Sequence, residues 1–490
     1  MVDLTLIGAI LFVLPSINSL NPHPKLLLIS MDGFRYDLVT PDLVPNIHFW
    51  AKQNLWFTKG LRPQYVSYTA PNHLSMTTGL YEESHGIVSN FFYELDEASH
   101  TLKSYDYWNY TEVPGIIEES EKQSWYFGEP IWITNEKANA SRHSACLQWP
   151  LCDAKFRSGS KPAYYTTWTK YQKYEEWISD IDTIIELFTR NVDPVNFLAW
   201  YIDEPDTTLH KHGFTDGVYL KTLAKLDEVF KLLIDRLHKH KLINEINIIL
   251  TADHGHAQIN GINNILCVKD YVDSTRIKFG LNLIYTADEA LAHEVYNNLT
   301  EAVRDNNLKI NVYMRNDFPD KHFYKGRVSR IGEVILEAGV GYEVDFYCTK
   351  EKLNKKYDYG AKKLNKSTHG QDPERSEMHA VLIIGGPKII DVYQSEQAVR
   401  MIDLYPFMCS LLGVFPAPNN GSLDSIGYYE GAHRLPDMNQ NYTRFIVFSI
   451  LGIIVIGLVC IIVMAALRPA DAEGSDYETS SVTPTTSASV

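Results

Sequence analysis

Lys25-Leu26-Leu27-Leu28-Ile29-Ser30 runs without a break into Met31-Asp32-Gly33-Phe34-Arg35. A short, uninterrupted apolar run of this kind predicts a strand buried on both faces, as in parallel sheets. An acid just past the carboxyl end of such a strand stands where open α/β sheets place their ligands. Asp-Gly alone is equally an ordinary turn, so the reading depends on recurrence, and the pattern recurs. Phe197 to Ile202 is a second apolar run, followed by Asp203, Glu204, Asp206 and His210. Ile246 to Leu250 is a third, followed by Asp253-His254-Gly255-His256. His379 to Ile384 is a fourth, with Thr368-His369-Gly370 upstream of it. Separate surface loops would seldom place acids and imidazoles this regularly. The expected fold is α/β, with a mostly parallel central sheet and helices on both faces.

The same pattern frames Tyr68-Thr69-Ala70-Pro71-Asn72-His73, which leads into Leu74 to Gly79. This reads as a hydroxyl nucleophile, Thr69, at a strand-to-helix turn, because unpaired N–H groups at a helix amino terminus favour an anion. Asp206 and His210 are four apart and share a face if their turn is helical. Acid and imidazole are suitable zinc ligands, although a lone pair at this spacing is more often a surface hydrogen bond. Asn90 either donates to a developing oxyanion or caps a turn, and its local sequence favours the turn. His256 is left outside the metal shell. Helical spacing marks 177–188, 219–238 and 397–412. Residues 91–170 carry Trp108, Trp125, Trp132, Trp149 and Trp168 and read as a loop-rich insertion over the active-site face. Residues 265–350 read as an α+β stretch without chemistry, with strands at Leu281–Tyr285 and Lys309–Tyr313.

The chain has 490 residues, of which 45% are hydrophobic and 21% charged, ordinary values for a globular protein. A net charge of −15 lacks the basic footprint of a nucleic-acid binder, so no nucleic acid is expected as a partner. A small anionic substrate stays open, because a metal site reverses the local field. Leu4 to Leu14 is almost wholly apolar and precedes Ser19, which predicts a signal peptide over residues 1–19 despite Asp3 in its first segment. Phe445 to Leu467 is long and apolar enough to span a bilayer. A lipid-anchor signal is the closest rival, and the polar tail after Leu467 argues against it. The expected order is therefore signal peptide, catalytic domain over 24–415, polar stalk over 416–444, transmembrane helix over 445–467 and cytoplasmic tail over 468–490. That is a single-pass type I protein of the cell membrane with its catalytic domain outside. Six N-x-[ST] sequons, at Asn109, Asn139, Asn298, Asn365, Asn420 and Asn441, agree with exposure to the secretory pathway. Five cysteines precede the apolar span, so at least one is free or pairs between chains, and Cys146 with Cys152 is the expected bridge.

In this order the islands resemble the ectonucleotide pyrophosphatase/phosphodiesterase family of the alkaline phosphatase superfamily, in its short membrane-anchored form. The residues that carry the resemblance are Met31 to Arg35, Thr69 to His73, Thr78 to Tyr81, Ser84 to Val88, Gly128 to Trp132, Glu204 to Asp206, Asp253 to Gly255 and Thr368 to Gly370. The resemblance implies an alkaline-phosphatase-like fold and two zinc ions. One would be held by Asp32, Asp253, His254 and Thr69, the other by Asp206, His210 and His369. It implies Thr69 as nucleophile and Asn90 as oxyanion donor, acting on phosphodiester or pyrophosphate bonds of extracellular nucleotides. Two departures stand out. Tyr68 replaces the family's frequent Lys, and Ala70 replaces the aromatic residue that stacks on the base. Trp168 or Tyr165 falls near the opposite stacking position. A choline-phosphate or lysophospholipid phosphodiesterase is the nearest alternative, since aromatic rings can cage a quaternary ammonium. A catalytically silent adhesion or receptor ectodomain is the alternative of another class.

Overall fold

The computed structural model describes residues 20–426, apart from 97–100, 108–124, 160, 169–170, 287, 328, 355–363 and 390–392. The expected signal peptide, most of the stalk, the apolar span, the tail and the sequons Asn109 and Asn441 lie outside the described residues. Among those described, no helix is long and apolar enough to cross a membrane.

The central sheet has eight strands: β1 (Lys25–Met31), β2 (Leu55–Phe57), β3 (Ser144–Leu147), β4 (Tyr164–Thr166), β5 (Phe197–Ile202), β6 (Ile246–Thr251), β7 (Leu382–Gly385) and β8 (Gln394–Ser395). Their spatial order is β8-β2-β7-β6-β1-β5-β3-β4. β1 pairs in parallel with β5 on one side and β6 on the other. Every residue of β1, β5 and β6 is buried, which accounts for their continuous apolar runs. β7 runs antiparallel to both β6 and β2. This reversal matters for the site. β1, β5 and β6 deliver the residues that follow them to one edge, and the antiparallel β7 brings the residues that precede it to that same edge.

Helices cover both faces. α1 (Pro45–Ala51), α3 (Tyr174–Thr189) and α4 (Asp206–His212) pack with α5 (Val218–Lys239), and α2 (Thr69–Thr78) packs with α7 (Leu404–Leu412) and the helix Ile131–Ala138. α3 and α5 bury the apolar stripes that their spacing predicts, among them Trp177, Ile181, Leu223 and Phe230. The segment 91–170 is more regular than its sequence suggested. It contains the hairpin Phe91–Asp96 with Thr101–Asp106, and its strands β3 and β4 extend the main sheet. Residues 278–338 form a four-stranded antiparallel sheet backed by α6 (Glu289–Asp305), with an apolar core of its own. Cys146 bonds Cys152 as expected, Cys267 bonds Cys348, and Cys409 is free and buried in α7.

Candidate active site

Thr69 is the first residue of α2, with Tyr68 as the cap before it. Pro71 is tolerated in this first turn because the N–H it lacks would have no helical partner. Asn72 folds back to fix the approach, accepting from Gln64 N at 2.7 Å and donating to Val66 O at 2.9 Å. Gly79, at φ 68°, ends the helix in the left-handed region. Thr69 Oγ1 is thereby held 3.4 Å from His254 Nε2, at the sheet edge described above.

Three imidazoles converge here with one proton arrangement. His210 Nδ1 donates to Ser367 O at 3.1 Å, His254 Nδ1 to Gly255 O at 3.0 Å and His369 Nδ1 to Ser67 O at 2.8 Å. A neutral ring that donates from Nδ1 presents a bare lone pair at Nε2. Yet His210 Nε2 and His369 Nε2 lie 3.1 Å apart, and both face Asp206 Oδ1, at 3.4 and 3.5 Å. Lone pairs aimed at one another need a cation between them.

The second group has the same character. His254 Nε2 lies 3.5 Å from Asp32 Oδ1 and 3.1 Å from Asp253 Oδ2. Those two carboxylate oxygens are buried without a hydrogen-bond partner among the described residues. Ligand atoms on one tetrahedral zinc stand about 3.3 Å apart, given bond lengths of about 2.0–2.1 Å. The separations within each group, 3.1–3.5 Å, match that figure. The side chains therefore fit two metal ions, and the stacked rings of His254 and His369, with centroids 3.6 Å apart, link the two groups.

The charges are strongly coupled. Burial, then the Asp253 and Asp206 carboxylates, pushes the Asp32 carboxyl well above its ordinary range. Burial also acts on Asp253, but His254 and His73 outweigh it and hold Asp253 below the usual range. Asp206 is likewise held low, because His210 and His256 outweigh its burial. Burial and the neighbouring His254 hold His369 well below an ordinary imidazole, which keeps its ring neutral as a ligand requires.

All seven residues read as metal or nucleophile positions, Asp32, Thr69, Asp206, His210, Asp253, His254 and His369, thus meet at one place. Asn90 Oδ1 accepts from Ala70 N at 2.8 Å, which leaves its amide nitrogen as the donor beside Thr69. Ala70 is fully buried, so position 70 presents no wall to a ligand. Trp168 is half-buried, stacks parallel to Tyr107 with centroids 6.2 Å apart, and donates to Asp203 Oδ2 at 3.4 Å. Tyr165 is 43% exposed with Lys161 over its ring, and the structure does not bring it into the metal groups. Of the sequons, Asn139, Asn298 and Asn420 are exposed, whereas Asn365 is half-buried and donates to Glu343 Oε1 at 2.7 Å.

Several contributors escaped the sequence reading. Tyr201 donates to Asp32 Oδ2 at 2.5 Å from inside β5, where it counted only as an apolar strand residue. His73 sits 3.5 Å from Asp253 Oδ2 and bonds Ser30 Oγ at 2.9 Å. Tyr171 packs edge-on to Trp168 and feels the charge of Asp206. Spacing carries no signal for any of these.

An α/β sheet with a hydroxyl at a helix amino terminus, facing two metal-compatible clusters, is an arrangement suited to phosphoester hydrolysis. Comparison with known proteins is specific. The family model described as type I phosphodiesterase / nucleotide pyrophosphatase matches residues 26–372. The bis(5'-adenosyl)-triphosphatase enpp4 of Xenopus laevis is 30% identical over 407 residues, 82% of this chain and 80% of that protein. Ectonucleotide pyrophosphatase/phosphodiesterase family member 5 of Homo sapiens is 30% identical over 408 residues, 82% and 78% of the two chains. Among solved structures, murine ectonucleotide pyrophosphatase/phosphodiesterase 5, in an inactive form in complex with AMP, superposes with a TM-score of 0.71 at 26% identity. The match covers 83% of this chain and 100% of that one. The chain belongs to the ectonucleotide pyrophosphatase/phosphodiesterase family.

Proposed function

We propose that this protein is an ectoenzyme that hydrolyses phosphodiester or pyrophosphate bonds of extracellular nucleotides and releases a nucleoside 5'-monophosphate. The convergence of Thr69 with two sets of metal-compatible side chains carries the reading. One zinc ion would be held by Asp32, Asp253, His254 and Thr69, the other by Asp206, His210 and His369. Bound zinc would lower the proton affinity of the Thr69 hydroxyl and neutralise charge on the phosphoryl oxygens.

The chain's own residues supply the rest. Thr69 Oγ1 attacks the phosphorus that carries the nucleoside, the bond to the leaving oxygen breaks, and a nucleotidyl-threonine diester forms while the hydroxyl proton goes to the leaving group. The amino-terminal end of α2 carries the positive end of its dipole, which favours the anionic phosphoryl group. The Asn90 amide, turned by its bond to Ala70 N, donates to a non-bridging oxygen. Water then cleaves the bond between phosphorus and Thr69 Oγ1, which releases the nucleoside 5'-monophosphate and returns the hydroxyl. Trp168 and Tyr171, packed edge-on to one another, offer ring faces for a base, in place of the missing aromatic at position 70.

The same rings keep a choline-phosphate or lysophospholipid ester as the second reading. A silent adhesion or receptor ectodomain is disfavoured, because no side chain of either metal set is missing. We place the chain in the cell membrane as a type I protein, with signal peptide 1–19, catalytic domain 24–415, stalk 416–444, span 445–467 and cytosolic tail 468–490.

The test offers the purified full chain a nitrophenyl ester of thymidine monophosphate and nitrophenyl phosphocholine, with and without chelator. Zinc-dependent turnover of the first supports the nucleotide reading, and turnover of the second alone supports the lipid reading. Absence of both with zinc bound leaves the silent scaffold. Thr69→Ala should abolish turnover with an unchanged circular dichroism spectrum, and an active variant would remove Thr69 as nucleophile.

A further inference from the structure

We infer that His256 is a positioning residue for Asp206, holding that carboxylate in its metal-binding orientation without itself binding the metal. This rests on the two-zinc reading. His256 is fully buried on the segment after β6, and its Nε2 lies 2.7 Å from Asp206 Oδ1. By proximity alone it groups with Asp206, His210 and His369 as a fourth ligand. The separations divide the four. His210 and His369 stand 3.4 and 3.5 Å from Asp206 Oδ1, as two ligands of one tetrahedral ion should. A separation of 2.7 Å is too short for that geometry and is the length of a charge-assisted N–H···O bond. His256 therefore donates its Nε2 proton to Asp206.

The other ring nitrogen is anchored as well. His256 Nδ1 lies 2.9 Å from Ser367 Oγ, and Ser367 Oγ lies 2.8 Å from Leu209 O. The carbonyl of the same serine accepts from His210 Nδ1. Ser367 thus orients a ligand, His210, through its backbone, and the residue that orients a second ligand, His256, through its hydroxyl. The chain Asp206–His256–Ser367–Leu209 ties together the segments after β5, after β6 and before β7. Without it the Asp206 carboxylate is free to turn away from His210 and His369, although all three ligands remain. Loss of such an outer hydrogen bond lowers metal affinity by about 10–100-fold.

The test measures zinc stoichiometry and affinity by chelator competition on the purified full chain. His210→Ala should lose one of the two zinc ions. His256→Ala should still bind two ions at saturation, with one held about 10–100-fold more weakly. His256→Gln should restore most of that affinity, because its amide N–H reaches the place of Nε2–H but offers no ligand lone pair. Wild-type affinity in His256→Ala would overturn the inference. So would a His256→Gln variant as weak as His256→Ala, which would put the imidazole itself on the metal. A His210→Ala variant that keeps both ions at full affinity would instead sink the two-zinc reading, a separate failure.

Discussion

At the scale of single residues, small groups do work that their type alone does not reveal. Gly33 has φ 68°, and a Cβ there would stand 3.0 Å from Asp206 Cβ and 3.1 Å from His256 Cδ2. Gly33→Ala should therefore push Asp206 out of place and weaken zinc binding, measurable by chelator competition. Asn90→Asp keeps the acceptor for Ala70 N but sets a negative charge beside an anionic substrate. We expect kcat to fall by about 10²–10³, as for loss of an oxyanion donor, with little change in thermal midpoint. Burial first, then the Asp345 charge, raises the Glu343 carboxyl to about 8. The folded state then binds a proton that the unfolded state has released above its ordinary value of 4.5. Stability should fall as pH rises from about 5 to 8, and Glu343→Gln should flatten that slope in urea titrations. Equal slopes in both proteins would count against a buried, protonated Glu343.

At the scale of elements, strand direction decides what meets. The apolar runs of β1, β5 and β6 are legible because a strand buried on both faces tolerates few polar side chains. That β7 runs the other way is not legible, because an apolar run reads the same in either direction. Its reversal is what brings His369 to Asp206 and His254. The strands β3 and β4 were missed for a related reason: Ser144–Leu147 and Tyr164–Thr166 are too short to show a period and lie among loop residues. The strands Ile265–Cys267 and Glu343–Asp345 pair in parallel, and the Cys267–Cys348 bridge fastens this pair. Closing 81 residues in sequence, it removes much chain entropy from the unfolded state. A Cys267→Ser, Cys348→Ser double variant should lose about 2–5 kcal/mol in chemical denaturation.

At the scale of the whole molecule, metal binding and folding are linked. Side chains from three distant segments would have to converge for one ion and from two for the other, so zinc would bind the folded chain and stabilise it. At zinc one hundred times above Kd, each site should contribute about 2.7 kcal/mol. Calorimetry should show the melting temperature falling on chelation and recovering with added zinc. A melting temperature indifferent to chelator would mean that the ions are not held as proposed.

The sequence by itself determined the class of fold, the seven converging residues and the family, because buried strands and the acids and imidazoles after them leave a local, ordered trace. Only the tertiary structure decided which outer groups serve them: Tyr201 on Asp32, His73 beside Asp253 and His256 on Asp206. It also decided that Ala70 lies in the core, that Tyr165 lies outside the metal groups, and that β7 is reversed. These are contacts between segments far apart in the chain, and spacing along one segment carries no record of what another places beside it.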